Sequence, residues 1–63
     1  MHILFSEKQR VVVLETGAVA TVLGVNGRWG DVTILVDEDC LTDPEDDGLM
    51  TLEAGALRPL QLN

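Results

Sequence analysis

Ala18-Val19-Ala20-Thr21-Val22-Leu23-Gly24-Val25, then Asn26-Gly27-Arg28-Trp29-Gly30, then Asp31-Val32-Thr33-Ile34-Leu35-Val36: the fold follows from this stretch. Its first and last pieces are rich in β-branched residues and alternate as a pleated strand does. Asn26-Gly27 between them supplies two residues that tolerate positive φ, which a tight hairpin turn demands. On the first strand Val19, Thr21, Leu23 and Val25 share one face. The other face carries Ala18, Ala20, Val22 and Gly24, mostly small, which suits tight packing or a bend at Gly24. On the return strand Val32, Ile34 and Val36 point inward.

The pattern extends in both directions. Upstream, residues 10–15 contain Val11-Val12-Val13-Leu14, a run typical of a strand with little exposed face. Thr16-Gly17 is a turn signal. Ser6-Glu7-Lys8-Gln9 is a polar break, and His2-Ile3-Leu4-Phe5 is a candidate short first strand. Downstream, residues 37–48 form a long acidic loop that contains Pro44, a strand breaker, and closes at Gly48. Leu49 to Glu53 is a further strand, residues 53–57 suit one helical or 3₁₀ turn, and residues 58–62 form a closing edge segment where Pro59 is tolerated. Short strands at roughly 8–12-residue spacing, with no longer helical pattern, predict a small barrel or sandwich. The expected fold is all-β: one SH3-like barrel over residues 1–63, with about five short antiparallel strands.

Sixty-three residues make one domain. A chain this short buries only about 60% of the surface its unfolded form exposes, so a dense core or self-association must support it. Cys40 is the single cysteine, so no disulfide within the chain contributes. Phe5 and Trp29 are the only aromatics, so the core must be aliphatic. The N-terminus lacks the pattern of a secretory signal, and no apolar run approaches the roughly 20 residues of a membrane span. With one unpaired thiol, these features point to a cytoplasmic protein that does not enter a membrane.

The net charge of −7 is unevenly placed. Asp37, Glu38, Asp39, Asp43, Glu45, Asp46 and Asp47 lie within eleven residues that contain no base. The rest of the chain balances four acids against Lys8, Arg10, Arg28 and Arg58. Such a run repels itself and stays solvated. It also speaks against direct nucleic-acid binding, which needs clustered Lys and Arg.

Two family resemblances arise here. The Val-rich strand, Gly17-Ala18-Val19-Ala20-Thr21-Val22-Leu23, Val32 to Asp37, and Leu52-Glu53-Ala54 to Leu57-Arg58-Pro59-Leu60 resemble small bacterial SH3-like barrels of the KOW-like kind. That resemblance covers about 45 residues and implies a fold rather than a function. Separately, Met1, Ile3-Leu4 and Thr21-Val22-Leu23-Gly24-Val25 with Gly27 are similar to the carbon storage regulator family, an RNA-binding, intertwined β dimer. Ser6 and Glu7 stand where that family has two arginines. Its basic residue near the last strand and its C-terminal amphipathic helix are not evident either, so a shared fold would lack the RNA-binding chemistry.

Candidate sites are few. Asp43, Glu45 and Asp47, with Gly48, fall at positions 1, 3, 5 and 6 of a calcium loop, but position 12 is Ala54 and Glu53 comes one place early. A solvated acidic loop is therefore expected, with no resident metal or cofactor. Asp43, Glu45, Asp46 and Asp47 are candidate partner contacts, either for a protein or as mimics of nucleic-acid phosphates competing for a basic groove. Arg28 and Trp29 at the hairpin tip are candidate anchors, since Trp and Arg dominate binding hot spots. Trp29 has a second reading, as a plug folded over the barrel's open end, which the scarcity of aromatics favours. Cys40, surrounded by acids and with no nearby histidine, reads as a buried or idle thiol. No catalytic set is present: there is no Ser/His/Asp arrangement, Gly-rich phosphate loop or metal-ligand spacing. The expectation is a non-enzymatic module that binds a protein partner or forms a homodimer. The alternatives are an acidic modulator of a nucleic-acid-binding protein and a regulator of the carbon-storage type.

Overall fold

The computed structural model describes residues 5–26, 30–43 and 45–60. The described residues form β1 (Arg10–Val13), β2 (Val19–Asn26), β3 (Asp31–Val36), β4 (Leu49–Glu53) and β5 (Leu57–Pro59). Every pairing is antiparallel, and the strands make one sheet in the order β4-β3-β2-β1-β5. Two 3₁₀ turns, Glu38–Cys40 and Ala54–Ala56, are the only helical pieces among the described residues. The all-β, five-stranded fold expected from the sequence is the one observed.

The sheet is barrel-like because its ends are drawn together at one corner. The Ala54–Ala56 turn carries the chain from β4 at one edge to β5 at the other. Ala54 N–H donates to the Gly30 carbonyl at 3.2 Å as the turn begins, and Leu14 N–H donates to the Ala56 carbonyl at 3.0 Å as it ends. No backbone ladder joins β4 to β5 among the described residues.

One face of the sheet is dry. Val11, Val13, Ala20, Val22, Val32, Ile34, Val36 and Leu57 are buried, and all are aliphatic. Val32, Ile34 and Val36 point inward as the alternation of β3 predicts. On β2 the small-residue face is the inward one: Ala20 and Val22 are buried while Leu23 is exposed. β2 sits mid-sheet, where small side chains leave room for the valines and Ile34 of its neighbours. Fully burying a Val or Ile side chain contributes about 1.5–3 kcal/mol, and Val11, Val22, Val32 and Ile34 are the largest such groups.

A bulge resets β2 half-way. Val22 pairs with Ile34 and Gly24 with Thr33, so Leu23 is the extra residue. Val25 consequently pairs with Val32, although simple counting puts it on the face of Leu23. The bend expected at Gly24 is this bulge.

Several boundaries differ from the sequence reading. The first valine-rich strand ends at Val13 rather than residue 15. Gly17, at φ 76°, turns the chain and donates to the Val13 carbonyl at 2.7 Å, which leaves Leu14 exposed at the hairpin tip. The candidate strand over residues 2–5 lies outside the described residues except for Phe5, which is not in a strand and packs against the core. The closing strand begins at Leu57, one residue earlier than expected, and residues 61–63 lie outside the described set.

Candidate functional site

The first residue of the acidic run does not behave as its charge count suggests. Asp37 N–H donates to the Val19 carbonyl at 2.9 Å, so Asp37 extends the β2–β3 ladder. Its carboxylate meets Arg10, which pairs with Thr21 in the next strand's register. Arg10 Nη1 donates to Asp37 Oδ1 at 2.8 Å and Nη2 to Oδ2 at 2.5 Å, while Nη1 also reaches Thr21 Oγ1 at 2.8 Å. This is the two-pronged geometry that suits a guanidinium. The hydrogen bonds from Arg10 hold the Asp37 carboxyl below its ordinary range. Partial burial opposes that shift, and the Arg10 charge adds to it. The same hydrogen bonds raise Arg10. Asp37 therefore belongs to the body of the sheet, and the expectation of a uniformly solvated run from Asp37 to Asp47 is corrected.

Beyond Asp37 the chain makes the 3₁₀ turn Glu38–Cys40, with Cys40 N–H donating to the Asp37 carbonyl at 2.8 Å. Leu41 then packs against the core, the one leucine in the acidic segment and its anchor. The aspartates that follow bond to their own backbone. Asp43 Oδ1 accepts from Glu45 N–H at 2.9 Å, Asp46 Oδ1 from Gly48 N–H at 2.8 Å, and Asp47 Oδ1 from Leu49 N–H at 3.0 Å. These are Asx turns, in which a short carboxylate replaces a backbone acceptor. The loop's geometry is thus held by the acids themselves. Gly48 returns the chain at φ 80°, buried against Val36.

Between this loop and the sheet lies a groove of about 560 Å³. Leu35, Val36 and Leu41 give it apolar walls, and Glu38, Asp43, Asp46 and Asp47 give it acidic ones. A second groove of about 440 Å³ shares Val36, Leu41 and Asp46 and runs past Cys40 to Met50 and Gly17. Among the described residues no basic side chain lines either groove. The two grooves face a ligand with four carboxylates and apolar surface, a combination suited to a cationic segment with aliphatic side chains.

The structure brings Asp43, Asp46 and Asp47 together along one groove, and Glu45, though exposed beside them, is not in its walls. Arg28 and Trp29 lie outside the described residues. On either side of them Asn26 pairs with Asp31, and Gly30 N–H donates to the Asn26 carbonyl at 2.8 Å. Sequence reasoning missed Glu38 and Leu41. The isolation of Leu41 among acids was the available signal. Cys40 is exposed, so its reading as a buried thiol does not hold. Among the described residues no three His, Cys, Asp or Glu side chains converge as metal ligands, and no helix is long and apolar enough to cross a membrane.

Comparison with protein-family models, curated proteins and solved structures returns no match. The resemblances to SH3-like barrels and to the carbon storage regulator family rest on their motifs.

Proposed function

We propose that this chain is a non-enzymatic interaction module that holds a basic segment of a protein partner in the groove beneath its acidic loop. The observation that carries this reading is the groove itself: apolar walls from Leu35, Val36 and Leu41, four acids around them, and no base among the described residues. Only one acid of the 37–47 run, Asp37, has an ion-pair partner among the described residues. The remaining acids keep a field that steers and selects a cationic partner.

The test uses D43N/D46N/D47N. Asn retains the side-chain carbonyl that accepts the backbone N–H, so the Asx turns persist while three charges disappear. The tagged wild-type chain should capture a defined protein from its host, in an amount that falls steeply with salt, and the triple variant should not. Equal capture by both chains would refute the groove. Displacement of the captured protein by nucleic acid would instead favour the phosphate-mimic reading of the same carboxylates.

A further inference from the structure

The two edges of the sheet are not alike, and their difference points to how a partner is held. In an antiparallel ladder, residues alternate between those that bond to the neighbouring strand and those whose N–H and C=O face away. On β5 the bonds from Leu14 N–H to the Ala56 carbonyl and from Leu60 N–H to the Arg10 carbonyl fix the phase: Arg58 faces β1, while Leu57 and Pro59 face outward. Pro59 has no N–H, and Leu57 N–H is taken by the Ala54 carbonyl of the 3₁₀ turn. The β5 edge thus offers no outward donor, the usual protection of a natural edge.

The β4 edge lacks that protection. Val36 N–H donates to the Gly48 carbonyl, and Ala54 N–H to the Gly30 carbonyl. Between these bonds Met50 and Leu52 face β3, and Leu49, Thr51 and Glu53 face outward. Asp47 Oδ1 takes Leu49 N–H, but Thr51 presents both backbone groups and Glu53 its N–H. β4 contains neither Pro nor Lys, and Leu49 and Met50 are 53% and 40% exposed.

Charge at the ends of this edge selects its occupant. Glu53 sits directly opposite Asp31 on β3, two like charges in register. Asp46 and Asp47 stand at the other end. A second copy would bring acids against acids in a chain of net charge −7. We infer that β4 accepts an extended segment of a partner protein as a sixth, antiparallel strand, basic at both ends and apolar between. This inference rests on the groove reading and extends it, because Gly48 and Met50 line the second groove and lead directly from the acidic loop onto β4. With a partner residue exchanging both bonds with Thr51, the residues on either side of it lie opposite Met50 and Leu52. The residue two places before it then lies opposite Glu53, and the residue four places after it opposite Asp47.

That register defines a probe: acetyl-Thr-Lys-Val-Thr-Val-Val-Thr-Lys-amide, with its fourth residue against Thr51. Fluorescence titration at low salt should show binding, and the Thr51 and Glu53 amides should gain protection from hydrogen exchange. N-methylation of the fourth residue removes the bond to the Thr51 carbonyl and should weaken binding at least tenfold. N-methylation of the third residue, whose N–H points away, should change it less than threefold. Equal loss from both methylations, or binding without protection of Thr51, would overturn strand addition while leaving the groove reading intact. Absence of binding by the unmethylated peptide would overturn the edge alone, because the protein-capture comparison with D43N/D46N/D47N tests the groove independently.

Discussion

Asp37 gives the fold its clearest pH dependence. Arg10 holds the native carboxyl below its ordinary value, so between the two values the unfolded chain binds more protons than the folded one. The stabilisation is therefore complete above the unfolded value of about 3.9 and is lost as pH falls through the lowered native one. Asp37→Asn should melt earlier than the wild type at pH 7, and the difference should shrink towards zero in acid. Thermal melts at both pH values decide this, and a constant difference would contradict it. Added salt should narrow the gap at pH 7, because the pair is partly exposed. At this scale charge counting misled, because the Arg10 partner lies 27 positions away and only the β1–β2–β3 register brings the two together. Ile34 was legible, since alternation alone marks it as inward. It is fully buried, and Ile34→Ala should cost about 2–5 kcal/mol in urea unfolding, much of the stability of so small a domain. A cost near zero would mean that the core is not packed around it.

Among the elements, the strands were readable and their irregularities were not. Composition and period identify β2, β3 and β4, whereas the bulge at Leu23 depends on which residue of β3 stands opposite. The acidic loop reads from the sequence as solvated because its side chains repel one another. Its order comes from three aspartates satisfying backbone N–H groups, a local chemistry that charge counting hides. Gly48 closes this element and separates two effects. At Gly17 an added Cβ meets nothing within 4 Å, so Gly17→Ala should lose only the backbone penalty of positive φ, about 1 kcal/mol. At Gly48 the same methyl would also lie 3.0 Å from the Val36 carbonyl oxygen, so Gly48→Ala should lose clearly more. Denaturant midpoints of the two variants check the order, and equal losses would mean that the loop does not press on β3.

For the whole molecule, the sequence made the all-β class legible because an aliphatic, alternating chain with one strong turn has few other ways to bury itself. It placed the charge in one loop but not the groove, since Leu41 and Glu38 acquire their roles only when the loop folds back over Leu35 and Val36. Removing three charges from a chain of net −7 also lessens its self-repulsion. D43N/D46N/D47N should therefore be at least as stable as the wild type at low salt, with the two midpoints converging in high salt. A large loss of stability would show that the carboxylates, not their shared acceptor geometry, hold the loop.

The central claim is that the acid-walled groove is the binding face, and an NMR titration of the labelled chain with a six-residue peptide of alternating Lys and Leu tests it most directly. The amides of Leu35, Val36, Leu41, Thr42, Asp46 and Gly48 should shift together, with at least tenfold weaker binding in D43N/D46N/D47N. Shifts centred on β5 around Arg58, or equal affinity for both chains, would contradict it.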